Sequence, residues 1–242
     1  MHDLAAQTLM RAWEAGVGAP HGFEASACVA VLSSDGVETV AARPVGEIDR
    51  ELLALREKVF GPELEGLTDC PACAETLELV LPVRDLVSGG AAQVAEHHRE
   101  VDGLQVVFRL PSPADVALAA WLPTLAAGRQ MLLQRCLVSV SNDERFLVFS
   151  ELDDTTLGSI EAAMADADPQ GACSIALTCP SCSNAWESPM DIGPFVWREI
   201  DSWAERTMDE VSILARAYGW SEAQILDMSQ VRRRRYLERI SA

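Results

Sequence analysis

Four of the seven cysteines fall into two matched pairs, Cys70-Pro71-Ala72-Cys73 and Cys179-Pro180-Ser181-Cys182. Two intervening residues let a chain turn tightly enough for both sulfurs of a pair to reach one metal ion. Proline after the first cysteine presets that turn. Small residues follow, Ala72 and Ala74 in one pair and Ser181 and Ser183 in the other. Tetrahedral zinc takes four thiolates at about 2.3 Å, and two such knuckles supply them. The flanks repeat as well. Leu67-Thr68 and Leu177-Thr178 enter the knuckles, and strand-like runs, 76–81 and 185–190, leave them. This is the pattern of a zinc ribbon, with its halves set 109 residues apart from Cys70 to Cys179. Cys70, Cys73, Cys179 and Cys182 are therefore assigned as ligands of one structural zinc ion per chain, stapling distant parts of the sequence.

Other chemistry fits these residues less well. A thioredoxin-like dithiol needs its first cysteine to open a helix after a strand, whereas Pro71 and strand-like residues follow Cys70. A catalytic zinc keeps an open coordination position, and four thiolates close the shell. An odd cysteine count without a visible secretion signal argues against a disulfide framework. Cys28, Cys136 and Cys173 lie in apolar surroundings and read as buried packing residues, with Cys173 near enough to the second knuckle to be a substitute ligand. Adjacent His97 and His98 do not share a helix face and have no third ligand nearby in sequence, so two solvated histidines are expected. The sequence has no GxGxxG or Gly-x4-Gly-Lys loop, HExxH, GxSxG or Cys/His dyad. Its carboxylates form no evident catalytic pair. The expectation is a non-enzymatic protein with no catalytic or cofactor-binding residues beyond the four metal ligands.

Apolar spacing predicts the elements that position these cysteines. Helices are expected over 4–14, 24–32 and 47–60, with Gly61-Pro62 stopping the third. The polar, Gly-rich run 88–103 reads as a linker or exposed loop, and 104–110 alternates like a strand. Ser112, Pro113 and Asp115 have the order of an N-cap, a first helical residue and a capping-box partner. Helices then follow over 113–126 and 129–138. A strand is possible at 146–149, a helix capped by Asp154 or Thr155 is expected through Met164, and a strand at 174–178. A long helix opens at Pro194, and Gly219 is placed as its left-handed cap. Ser221-Glu222-Ala223-Gln224 is a capping box for a short helix, and Ser229 caps a last one over 231–240. The fold class is α+β, mostly α-helical with a small discontinuous zinc-ribbon β unit. The organisation reads as an N-terminal helical segment, 1–66; ribbon halves at 67–87 and 173–192; a central strand-plus-helices insertion, 104–172; and a C-terminal helical module, 193–242.

The 242 residues carry 37 acidic and 19 basic side chains, a formal charge of −18, with a pI near 4.5. Residues 1–192 hold 29 of the acidic and 11 of the basic groups, and 193–242 hold eight of each. An acidic surface repels phosphate, which argues against nucleic acid and anionic membrane as partners. The longest apolar runs, such as Ala27–Leu32, fall far short of the roughly 20 residues of a membrane span. Met1-His2-Asp3 shows no basic, apolar leader. A cytoplasmic protein is expected. Arg232–Arg235 is the one basic cluster. It can dock an acidic partner or phosphate backbone, but ion pairing of Arg234 and Arg235 with Glu238 and cover for the acidic body account for it better.

A wider set of residues resembles a family. It includes Trp13-Glu14-x-Gly16, Leu55-Arg56-Glu57 with Phe60-Gly61, and the first knuckle followed by Leu77-Glu78-Leu79. It continues through Phe108-Arg109-Leu110-Pro111-Ser112 with Asp115, Ala167-Asp168-Pro169, and the second knuckle with Trp186-Glu187 and Asp191-Ile192. Trp197-Arg198-Glu199-Ile200-Asp201 and the block from Glu210 through Tyr218-Gly219-Trp220-Ser221-Glu222 to Tyr236-Leu237 complete it. From about residue 9 to 240 the chain resembles the T-even-phage-like baseplate hub assembly chaperones, a baseplate protein family of contractile tails and phage-tail-like contractile injection systems. The resemblance implies a non-enzymatic assembly role with hub, spike-carrier or wedge proteins as partners, and carries over only the four cysteines as zinc ligands. A permanent structural baseplate component is the alternative. A zinc-ribbon nucleic-acid-binding regulator is a third reading, disfavoured by the charge. The chain departs from the common ribbon pattern in having Ala74 and Ser183 where glycine is frequent.

Overall fold

A computed structural model describes residues 5–89 and 95–240. The fold is α+β, mostly helical, with three small antiparallel sheets. It divides into two compact units, one formed by residues 1–37 and 193–242, the other by 38–192. The first residue of the expected N-terminal helix, Leu4, lies outside the described residues.

In the first unit, helices α1 (Ala6–Val17) and α2 (Glu24–Ser33) pack on each other, and the Cys28 thiol donates to the Ala12 carbonyl at 3.1 Å. Helix α1 runs past its expected end at residue 14 and includes Gly16, whose lack of a side chain has a packing reason. A Cβ there would lie 2.3 Å from the Trp197 ring. The Trp13 indole N–H donates to Asp201 at 2.8 Å, so α1 is registered on α9 (Ile192–Tyr218) by a close approach and a hydrogen bond one turn apart. Val196, Ile200, Ala204 and Leu214 form the buried stripe of α9. Gly219 has φ of 70° and its N–H closes on the Ala215 carbonyl, the expected left-handed cap. Ser221 and Gln224 form the capping box of α10 (Glu222–Leu226). In α11 (Gln230–Ile240) the four arginines separate. Arg233 is buried against Glu210 at 2.9 Å and the Met228 carbonyl, Arg235 pairs with Glu238, and Arg232 lies over the Tyr236 ring.

The second unit begins inside the short α3 (Val37–Ala41), which spacing alone did not suggest, and continues with α4 (Val45–Phe60). Strands β1 (Glu63–Asp69) and β2 (Thr76–Pro82) form the hairpin that carries the first knuckle, and α5 (Val83–Leu86) follows. The expected linker over 88–103 is corrected in part. Residues 97–101 are strand β3 (His97–Val101), paired with β4 (Leu104–Phe108) through an Asp102-Gly103 turn with both φ positive. Asp-Gly between pairing strands is the type I′ hairpin signal, and the high polarity of β3 masked it. His97 is accordingly buried and stacked on Phe108 at 5.4 Å, while His98 is exposed. Helix α6 (Pro113–Ala120) is shorter than expected, whereas α7 (Leu125–Cys136) starts four residues earlier than expected and runs directly into β5 (Leu137–Ser141). With β6 (Phe146–Leu147) these strands make the sheet β3-β4-β5-β6. Helix α8 (Asp154–Ala167), capped by Asp153, shares with this sheet a core of Val106, Phe108, Leu133, Cys136, Val140 and Ile160. Hairpin β7 (Ser174–Thr178) and β8 (Ala185–Pro189) carries the second knuckle.

Candidate metal centre

The two knuckles have the same backbone. In each, the first cysteine's N–H bonds the carbonyl five residues on, Cys70 to Glu75 and Cys179 to Asn184, both at 2.9 Å. The first cysteine's carbonyl accepts the N–H four residues on, Ala74 and Ser183, again at 2.9 Å. Both of those residues take φ of 58°. The left-handed conformation is where a ribbon favours glycine, and Ala74 and Ser183 adopt it despite their Cβ. Asp69 faces Thr76 and Thr178 faces Ala185 as the last rungs before the turns.

These turns bring together the four cysteines named from sequence. The sulfurs of Cys70, Cys73, Cys179 and Cys182 all lie within 4.8 Å of one another. Cys70 is 3.7 Å from Cys182, and Cys73 is 3.6 Å from Cys179. Four sulfurs at about 2.3 Å from a central metal stand about 3.8 Å apart at the corners of a tetrahedron, so the cluster has the size of a filled thiolate site. Cys70 and Cys179 are buried, and Cys73 and Cys182 are exposed, each knuckle offering one inner and one outer ligand. Cys173 is half-buried and outside the cluster.

Electrostatics show why the cluster suits a cation. Burial pushes the Cys70 thiol up, but backbone hydrogen bonds at Ala72 and Cys73 and the thiols of Cys182 and Cys73 overcome this and bring it down to about 7. At Cys73 a backbone hydrogen bond at Glu75 lowers the thiol, and Cys182, burial, Cys179 and Cys70 together drive it up to about 12. One thiolate forms readily and the next is opposed by it; a bound metal removes that opposition. By contrast, burial raises Cys28 to about 12 and Cys136 to about 11, as befits inert packing residues.

A second polar centre was only half visible in sequence. Ser112 and Asp115 form the expected capping box of α6. Asp115, 1% exposed, also accepts Arg109 through both terminal nitrogens, at 2.5 and 2.9 Å, and the Arg135 Nε at 2.7 Å. One carboxylate thus ties the end of β4, the start of α6 and the last turn of α7. Nothing in the spacing of Arg135 announces this contact. A similar role falls to Asp168, whose Oδ2 accepts the Gly46 N–H at 3.0 Å at the start of α4. A Cβ on Gly46 would collide with that carboxylate.

These residues all lie within the stretch of the chain that a family model matches. A family model described as T4 bacteriophage base plate protein matches residues 26–192. The chain belongs to that family. In this base plate family member the match spans about two thirds of the sequence and includes both knuckles, the Asp115 network and Asp168. It ends at Ile192, so the C-terminal helical module lies beyond the matched range. Comparison with curated proteins and with solved structures returned no match. No helix among the described residues is long and apolar enough to cross a membrane.

Proposed function

We propose that this chain is a non-enzymatic assembly factor, a chaperone for the baseplate hub of a contractile phage tail or phage-tail-like injection system, folded around a structural four-cysteine zinc site. The observation that carries this reading is the base plate family match over the unit that holds all four cysteines. A tetrahedral set of four thiolates suits zinc or iron, and the ribbon form of the two knuckles favours zinc. Four protein ligands leave no coordination position for a substrate, which supports a structural role. Bound zinc supplies folding energy there. Two-stranded hairpins are marginal on their own. Cys70 and Cys73 on one hairpin and Cys179 and Cys182 on the other hold the pair through the metal.

The working location is the cytoplasm, and the partners are hub, spike-carrier or wedge subunits of the same system. The charge of −18 keeps such a factor off nucleic acid and anionic membrane while it binds other proteins. The experiment is deletion of the gene from a cluster that makes particles, with mass spectrometry of the purified wild-type particles. The expected result is loss of particles on deletion and absence of this chain from mature ones. Normal particles from the deletion strain overturn the proposal. Stoichiometric recovery in wild-type particles replaces it with a permanent baseplate component.

A further inference from the structure

Within the second unit an apolar groove of about 600 Å³ is walled by α6, α7 and α8. Val45, Val116, Leu122, Leu125, Leu132 and Met164 line it. At the corner between α6 and α7, Trp121 is 81% exposed and Leu125 93%. Large apolar side chains clustered at the mouth of an apolar groove mark an interaction surface rather than a scatter of ordinary exposed residues.

The charges around the groove select its occupant. Helix α8 carries Asp154, Glu161 and Asp166 and no basic residue. The arginine of the groove lining is engaged. Arg129 bonds Glu161 through two nitrogens, at 2.6 and 2.8 Å, and Arg109 and Arg135 both serve Asp115. Asp154, seven residues before Glu161 and so on the same face of α8, forms no ion pair among the described residues, and the unit as a whole, residues 38–192, holds 25 acidic against 10 basic groups. We infer that the groove docks an amphipathic helical segment of a partner protein, one with large apolar residues along one face and lysine or arginine on its flanks. The apolar face fills the groove at the i, i+3, i+4, i+7 spacing of helix-in-groove recognition, and the basic flank meets α8. The inference rests on the assembly reading only for the statement that the partner is a baseplate subunit.

The test uses the full chain and two synthetic helical peptides, each about 20 residues long and so about 30 Å as a helix, with identical leucine faces, one flanked by lysine and the other by glutamate. Binding is read by fluorescence anisotropy. The lysine peptide is expected to bind at least tenfold more tightly than the glutamate peptide. Trp121→Asp with Leu125→Asp weakens it at least tenfold, while Val231→Asp, at an exposed site on α11, leaves it unchanged. Leu125 lines the groove and Trp121 lies between the lining residues Ala120 and Leu122; both are exposed, and circular dichroism with metal content confirms that the variant is folded. Equal affinity for the two peptides, no binding of the lysine peptide, or indifference to the groove substitutions overturns the inference. So does a dimer in sedimentation that the groove substitutions disperse, because the occupant is then a second copy of the chain. Normal particles from the deletion strain refute the assembly role without changing any peptide result, so the two failures are distinguishable.

Discussion

The Sγ atoms of Cys70 and Cys182 lie 3.7 Å apart although 112 residues separate them in sequence. The four-stranded sheet and helices α6 to α8 are the intervening chain, so closing the cysteine cluster closes a loop containing most of the second unit. Loop closure costs entropy that grows slowly with length, and a metal at the neck repays it once four thiolates are bound. Stability of the unit is therefore expected to follow metal occupancy.

The left-handed turn residues give a first check on this geometry. Ala74 and Ser183 both have φ of 58°, a conformation that costs a residue with a Cβ about 1 kcal/mol relative to glycine. Ala74→Gly and Ser183→Gly are expected to be neutral or to stabilise by up to about 1 kcal/mol in chemical denaturation. A bulky β-branched residue, as in Ala74→Val, is expected to destabilise by about 2 kcal/mol.

Asp115 is the acid-sensitive point of the core. Although burial raises it, hydrogen bonds from Arg109, Ser112 and Arg135 hold its carboxyl well below the usual carboxylate range. A depressed native value adds stability above the ordinary pKa of about 4, and that stability drains away as pH falls toward the native value. Asp115→Ala leaves Arg109 and Arg135 facing an empty site and is expected to cost about 3 kcal/mol near neutral pH. Asp115→Asn should lose the steep drop in stability below about pH 4. Urea denaturation between about pH 3 and pH 7 reads both effects.

Asp49 works in the opposite sense. Burial, then the charges of Asp191 and Asp168, raise it to about 7, against a lowering by Arg50. The unfolded chain releases this proton near pH 4 and the native chain holds it until about pH 7, so the native state binds more protons between them. The Asp49 contribution to stability therefore falls as pH rises across that window. Asp49→Asn is expected to stabilise the protein by about 2 kcal/mol at about pH 8, to change little at about pH 4, and to flatten the slope between. Thermal melts at the two pH values test this.

The first unit has its own sensitive contact. A Cβ at Gly16 meets the Trp197 ring at 2.3 Å, so Gly16→Ala is expected to destabilise by about 2 kcal/mol despite the better helix propensity of alanine. Pairing it with Trp197→Leu should relieve part of that loss in a double-mutant cycle.

Much of this was legible in the sequence because its signals are local. The two CPxC turns, the Ser112–Asp115 and Ser221–Gln224 boxes and the Gly219 cap each act within five residues, and each appears where its spacing put it. What stayed hidden depends on distant partners. β3 is a polar strand whose only local mark is the Asp102-Gly103 turn. His97 is buried because Phe108 comes to stack on it. The Asp115 contact with Arg135 spans 20 residues and a helix hairpin. Arg233 looks like its three neighbouring arginines until α9 supplies Glu210. The groove beside α8 is equally invisible in a linear pattern, since its walls come from α6, α7 and α8 together with Val45 at the start of α4.

The most direct measurement of the central claim is the metal content of the freshly purified full-length chain, by elemental analysis and native mass spectrometry, beside Cys70→Ser and Cys179→Ser. One zinc per chain is predicted for the natural sequence. Each serine variant should lose the metal and, with it, cooperative unfolding of the second unit. A natural chain free of zinc or carrying iron in its place, or serine variants as stable and as cooperative as the parent, contradicts the account.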